Sequence, residues 1–328
     1  VTSRAGQLSS LLTTTPLHGF RNKIINGNFD IWQRGTSQAG LGYGSADRWK
    51  VNGLDPSGAF LVSRQEFDLG QTDVPGNPRY YIRIAGSSFS ATALNLAQAI
   101  EGVQTLAGQK ATLTFWARAS APRQLYPRPI QDFGSGGSPS SPVDTFGDPV
   151  NLTTSWQKFS QVFDLPSIAD KVLGTNGNDR LTVAFDIKRG EVGTDLGNDT
   201  IDLARVSLVE GDATAEADPF SPRHIQQELA LCQRYCRDVN ELTCAGFSAT
   251  TAIGVVDMSA NPMRGAPSAS LITAGNLVGN GGSVAVTSIA TVTASAIAAR
   301  FDLNVSSGLT ASASYNWRAG RIRLESEL

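Results

Sequence analysis

The chain has 328 residues, 27 basic and 29 acidic side chains for a net charge of −2, and 41% hydrophobic residues. That length predicts two or three domains, each with its own packed core. There is no basic block to neutralise a phosphate backbone and no run of about 18 apolar residues to cross a bilayer as a helix, so neither nucleic acid nor membrane insertion is expected.

Residues 1–20 read as a small, polar arm with Pro16 and Gly19, too weakly apolar to fold alone and ordered only against a neighbour. Its broken patch of Leu8, Leu11 and Leu12 lacks the continuous apolar core of a secretory signal. Residues 22–34, NKIINGNFDIWQR, place a short apolar strand at Ile24 and Ile25 and a turn at Asn26-Gly27. An aromatic and acidic strand through Phe29, Asp30 and Trp32 follows, and then the cluster Ala46-Asp47-Arg48-Trp49.

From there to about residue 212, short alternating apolar stretches stand between glycine, proline and asparagine turns. Residues 59–65, 79–85, 111–117, 156–165, 181–187 and 201–209 are the clearest, each of ordinary strand length. The imperfect alternation of Trp156, Phe159, Val162 and Phe163 suggests a bulge. Residues 92–104 fit a period of two about as well as 3.6. The glycine-serine stretch within residues 131–143, QDFGSGGSPSSPV, has no following Lys and opens no helix, so it reads as a flexible loop and not as a phosphate cradle. Many strands and few helices imply antiparallel sheets packed face to face, a jelly roll of about eight strands.

Residues 211–219 are acidic, small and poor in core residues, and mark a boundary. Ser221-Pro222 then supplies an N-cap and a proline at the first helical position. Ile225, Leu229, Cys232, Cys236 and Val239 recur at steps of four and three, the stripe of a helix about two heptads long. It would pack on a sheet of its own chain or on copies of itself about a symmetry axis. Beyond Asn240 the composition turns to Ala, Ser, Thr, Val and Gly, with Tyr315 and Trp317 late in the chain. Residues 253–258, 268–272, 283–293, 296–303 and 321–324 are strand candidates. The plan is a mainly β chain: an arm (1–20), a β-sandwich (21–212), a linker with a short helix (213–243) and a smaller C-terminal β domain (244–328). Small side chains bury little area each, so association with identical copies is expected to stabilise the last of these.

Catalytic signatures are few. The two histidines, His18 and His224, give little for a nucleophile–base pair, and neither a G-x-S-x-G nor an H-E-x-x-H motif is present. Cys232, Cys236 and Cys244 have only His224 nearby, which points to buried thiols rather than a metal set. Sugar binding relies on aromatic rings flanked by hydrogen-bonding groups, and Tyr43, Tyr80, Tyr81, Trp116, Tyr126 and Trp156 are the available rings. Consecutive Tyr80 and Tyr81 must face opposite sides of their strand, as must Phe115 and Trp116.

Four separated segments resemble, in order, bacteriophage tail-fibre and other virion surface proteins that begin with a carbohydrate-binding-module-like β-sandwich. They are residues 22–34 with 46–49, residues 131–143, residues 222–236 (PRHIQQELALCQRYC) and residues 261–271 (NPMRGAPSASL). The resemblance spans most of the chain from Asn22 onward. It implies a strand for residues 92–104 and core positions for Trp32 and Trp49. The resemblance fixes no sugar ligand; of the available rings, Tyr80, Tyr81, Trp116 and Tyr126 are the candidate glycan-binding residues on side-chain type and strand alternation. It also aligns Asn28, Asp30 and Asp202 with a structural calcium position, for which bonds from Asp30 or Asp202 to backbone amides or Arg48 are the alternative. No other cofactor is implied.

The expected function is therefore that of a non-enzymatic phage virion protein, a tail fibre or receptor-binding protein. It would be a homo-oligomer, a trimer by this analogy, attached to other virion proteins through residues 1–20 and adhering to host-surface polysaccharide. A capsid head fibre or decoration protein without sugar affinity, and a polysaccharide-degrading tail spike with paired carboxylates in a cleft, are the alternatives.

Overall fold

The computed structural model describes residues 21–279 and 282–328, so the expected arm at 1–20 lies outside the described residues. The chain divides into two compact units, one running to Glu228 and including Leu328, the other running Leu229–Glu327.

Two antiparallel sheets form the first unit. One has six strands in the order β1 (Ser37–Gln38), β3 (Ser57–Glu66), β4 (Tyr80–Ser90), β13 (Thr200–Glu210), β6 (Lys110–Ala119) and β10 (Gln157–Asp164). The other has seven strands: β2 (Trp49–Leu54), β5 (Ala93–Glu101), β11 (Arg180–Arg189), β7 (Arg123–Asp132) and β8 (Val143–Asp144) in order, with β12 (Val192–Gly193) beside β11 and β9 (Val150–Leu152) beside β7. This is the expected antiparallel sandwich, and residues 92–104 do supply a strand, β5.

Alternation sets the core. Along β11, Leu181, Val183, Phe185 and Ile187 are buried on the inner face, in register with Leu96 and Gln98 of β5. Phe115 meets Phe185 edge-on at 4.9 Å, and Trp49 lies 5.2 Å from Phe29. Each such fully buried ring or branched side chain contributes about 1.5–3 kcal/mol.

Several local expectations are corrected. Residues 22–34 form no strand; they make a turn-rich segment in which Asn26 and Phe29 take φ of 55° and 56°. Asn22 and Asn26 side chains do the work of a ladder there. Asn22 Oδ1 accepts from Ile24 N and Leu208 N, while Asn26 Nδ2 donates to Ile31 O and Asp47 O and its Oδ1 accepts from Ile31 N. The bulge expected near residue 160 is absent, because β10 pairs with β6 without a break and Val162 simply points outward. The register shift falls instead in β13 between Ala204 and Ser207, where Arg205 has φ 48°. The glycine-serine loop is tied down by bonds from Gly174 N to Phe133 O, Asn176 N to Ser135 O and Ser140 N to Val172 O.

The helix is shorter than its apolar stripe. α1 spans Ile225–Gln233, and Cys236 and Val239 belong to β14 (Cys236–Val239), which pairs with β22 (Arg321–Glu325). Strand pairing at Cys236 replaces the second heptad, and Ile225, the first stripe residue, is 51% exposed. Leu229 is half-buried, and Cys232, Cys236 and Cys244 are buried thiols. The segment before the helix is strapped to the sandwich: Arg21 binds Glu216 through both guanidinium nitrogens at 2.7 and 2.5 Å, and Phe220 is buried under Arg205.

In the second unit, β14, β22 and β17 (Ser268–Thr273) make a small sheet. β15 (Leu242–Gly246), β16 (Thr251–Asp257), β20 (Ala298–Val305), β19 (Gly282–Ala294), β18 (Asn276–Gly279) and β21 (Ser314–Arg318) close into a barrel in that order. The smaller C-terminal β domain is thus barrel-like. Closure leaves no open edge in those strands, and large residues fill the interior: Trp317, Phe301, Leu277 and Leu303 are fully buried. Trp317 Nε1 donates to Ala274 O at 2.7 Å, so the buried indole is satisfied.

Candidate functional site

The inward set of the seven-stranded sheet is large and apolar, so its outward set decides what the other face can hold. Registers place Lys50, Ala97, Ala184 and Arg128 in one row across four strands. A second row is Asn52, Asn95, Asp186 and Tyr126; a third is Ala99, Thr182 and Ile130. The middle strands thus offer alanine and threonine at the surface, and the flanking strands offer longer, polar side chains. The result is a groove with a floor of small residues.

Tyr43 closes the groove at the β2 edge. Its neighbour Gly42 bridges to Val51 with two backbone bonds, N to O at 2.8 and 3.0 Å, which continues the sheet one chain further. Tyr43, Lys50, Asn52, Ala97, Ala99, Ile130 and Thr182 line the hollow, together with Arg180, Asp132 and Leu328, whose O accepts from the Tyr43 hydroxyl at 3.4 Å. Asn52 Nδ2 donates to Asn95 Oδ1 at 3.0 Å, leaving amide groups along the second row.

At the other end the face is crowded with charge. Asp186, 1% exposed, accepts from Arg128 Nε at 2.6 Å and lies 3.4 Å from Arg189. Arg128 also pairs with Asp144. Burial pulls its basicity down, but the two carboxylates outweigh that and hold it above the ordinary arginine range. Arg189 lies 4.5 Å over the exposed ring of Phe146, which borders this end.

The four aromatics singled out from the sequence do not come together. Tyr80 is buried and shares the inward alternation of Ile82 and Ile84, with the guanidinium groups of Arg64 and Arg79 at 4.4 and 4.8 Å from its ring centre. Tyr81 and Trp116 lie on the outer face of the six-stranded sheet. Tyr81 is buried by Phe67 and Trp156, whose ring centres lie at 4.7 and 5.2 Å, and its hydroxyl accepts from Arg118 at 3.2 Å. The rings of that face are spent on one another. Only Tyr126, half-buried and donating to Gln124 at 2.7 Å, belongs to the groove side.

The three residues aligned with a calcium position are likewise divided. Asn28 Nδ2 donates to Asp30 Oδ2 at 2.9 Å, but Asp202 has both oxygens taken, by Arg83 at 2.7 Å and Arg118 at 2.8 Å. Among the described residues no three His, Cys, Asp or Glu side chains meet in a metal-holding group. Asp30 instead borders a cavity of about 60 Å³ with Asn28, Arg223 and Glu228. Its carboxyl is raised from the usual range by burial and by the nearby Glu228 charge, against the Asn28 hydrogen bond. That space suits water and is small beside the ~300–1,000 Å³ of ligand pockets.

The groove residues carry no motif, yet a signal for them exists. In β11 the outward residues Thr182, Ala184 and Asp186 alternate with Leu181, Val183 and Phe185; in β5, Asn95, Ala97 and Ala99 alternate with Leu94 and Leu96. Small outward residues on two strands mark a floor once the strands are known to be neighbours.

No family profile matches this sequence, and no curated protein matches it. Several solved structures resemble it weakly. A structure described as CBM4 is 18% identical over 57% of this chain and 98% of that one, with a TM-score of 0.34. The N-terminal cellulose-binding domain of Cellulomonas fimi β-1,4-glucanase C is 15% identical over 50% of this chain and 89% of its own, at 0.32. The enzymatically active domain of bacteriophage CBA120 tailspike protein 4 is 14% identical over 59% of this chain but only 22% of its own, at 0.34.

Proposed function

We propose that this protein is a non-catalytic adhesin of a phage particle, a tail fibre or receptor-binding protein that holds host-surface polysaccharide in the groove of the seven-stranded sheet. The observation that carries the reading is the floor: Ala97, Ala99, Thr182 and Ala184 stand outward in the middle of the sheet and leave room for sugar rings between Tyr43 and Ile130. Tyr43 offers a ring to stack on a pyranose. Asn52, Asn95 and the Arg180–Asp132 pair offer donors and acceptors to its hydroxyls.

The carboxylates of this face support adhesion over hydrolysis. Asp132 is bound by Arg180, and Asp186 by Arg128 and Arg189. Glycoside cleavage calls for a carboxyl free to protonate the leaving oxygen and a second one opposite it. The resemblance of four sequence segments to virion surface proteins supports the phage assignment, with residues 1–20 as the attachment segment and a homotrimer as the working unit. Weak contacts at each copy would then add through effective concentration.

The test is a glycan array probed with the wild-type protein and with Tyr43→Ala and Thr182→Trp. The first removes the stacking ring and the second fills the floor. Each is expected to weaken the best glycan by about tenfold or more while the far-ultraviolet circular dichroism stays unchanged. Wild-type protein that binds no glycan, or binding indifferent to both changes, refutes the reading. Antibody labelling of intact particles tests the placement on the tail.

A further inference from the structure

Resting on that glycan-binding reading, we propose that the polysaccharide is acidic and that Lys50 seats its carboxylate. The charges of the groove face lead there by elimination. Asp186 is taken by Arg128 and Arg189, Asp144 by Arg128, and Asp132 by Arg180, while Glu101 stands in register with Arg180. Acids and guanidinium groups on this part of the sheet therefore offset one another.

Lys50 is different. Among the described residues it has no carboxylate partner, and its row continues into Ala97 and Ala184, which offer no polar side chain to meet it. Its ammonium lies 5.7 Å from the centre of the Tyr43 ring. A second cation by that ring, Arg34, is buried and faces Asp47 at 3.9 Å. The stacking ring, whose hydroxyl donates to Leu328 O at 3.4 Å beside the same hollow, is thus flanked by one half-buried positive charge that makes no ion pair among the described residues. A uronate-type sugar carries an apolar ring face and a carboxylate on the ring edge, so it satisfies Tyr43 and Lys50 together. A neutral sugar leaves the ammonium to water.

With a net charge of −2 the protein has no general basic field to attract a polyanion, so the preference has to come from a local contact.

The experiment is affinity electrophoresis of the full chain through gels containing hyaluronate, polygalacturonate or alginate, each compared with its carboxyl-reduced counterpart. At least one acidic polymer is expected to bind about tenfold more tightly than its reduced form. That advantage should shrink as salt rises, vanish in Lys50→Met and persist in Lys50→Arg. The reading in each variant is the ratio of acidic to reduced retention, which does not depend on what Lys50 contributes to binding of the neutral polymer. Equal retention by acidic and reduced polymers, or an acid preference that survives Lys50→Met, overturns the Lys50 seat alone. Failure to bind any of the polymers, acidic or reduced, overturns the acidic-polysaccharide proposal, and the glycan-binding reading falls with it when the glycan array is also blank.

Discussion

Gly27 is where the irregular N-terminal segment touches the sandwich, and Gly27→Ala measures how much that contact matters. A Cβ built on Gly27 lies 2.1 Å from Val206 O, where real Cβ contacts stay beyond 3.0 Å. Either the turn or strand β13 must then move by at least about 0.9 Å. Neither moves cheaply. Val206 N donates to Gly27 O at 2.9 Å, and Trp49 Nε1 donates to Asn26 O at 3.1 Å. Asn26 is further held by its side-chain bonds to Ile31 and Asp47. Overpacking of this kind costs about 1–3 kcal/mol, and a lost backbone bond adds about 1 kcal/mol. The expected loss is therefore about 2–4 kcal/mol.

The assay is urea unfolding followed by tryptophan fluorescence. Trp32, Trp49, Trp116 and Trp156 all lie in the sandwich unit, so the signal reports that unit while Trp317 reports the barrel. The midpoint of the sandwich step should fall with its slope unchanged. Gly40→Ala is the control: a Cβ there meets nothing within 4 Å, and its effect should stay within about 0.5 kcal/mol. Gly27→Ala with a midpoint no lower than the control would refute the argument that this turn is locked.

Asp30→Asn should stabilise the protein at neutral pH. Because the folded carboxyl is raised, its favourable contribution is complete below the unfolded value and is lost as pH rises through the folded one. The advantage of the Asn variant should therefore shrink as pH is lowered; a pH-independent difference in thermal midpoint would contradict it. Cys244, pushed up to about 11 by burial, should resist thiol reagents at pH 8 in the folded state and react on unfolding. The same sign applies to its linkage: stability should decline between about pH 8.5, the ordinary thiol value, and about 11, and Cys244→Ala should remove that decline.

The six-stranded face shows why aromatic residues alone misdirect a site reading. Tyr81, Trp116 and Trp156 have the composition of a sugar platform, but Phe67 and Val74 lie over them and Asp202 draws Arg83 and Arg118 into the same cluster. The hydrogen bond that Arg83 donates to Asp202 raises Arg83 above the ordinary arginine range. Strand alternation predicts that Tyr81 and Trp116 point away from the core. It is silent on what folds back over them, because that depends on the path of residues 67–76.

Elsewhere the sequence carried more. Leu181, Val183, Phe185 and Ile187 alternate so strictly that β11 and its buried face follow from residue chemistry alone. β7 was hidden by Pro127 and Pro129, which argue against a strand. Both prolines sit where β7 is paired with β11 but has neither β8 nor β9 opposite, so the donors they lack were not needed in a ladder on that side. Ile225 to Val239 keeps a helical spacing to its end, yet Cys236–Val239 is a strand, because pairing with β22 comes from residues some ninety positions later.

Sequence by itself determined that this is a chain of antiparallel strands with one short helix, and which faces of the strands are apolar. Only the tertiary structure decided that Lys50, Ala97, Ala184 and Arg128 share one row, that Asn26 rather than a strand fixes the first segment, and that the last strands close on themselves. The reason is physical. Alternation is a local property of each strand, but strand order, register and closure are set by contacts between residues far apart in the chain, and a binding face made of several strands exists only once those contacts have formed.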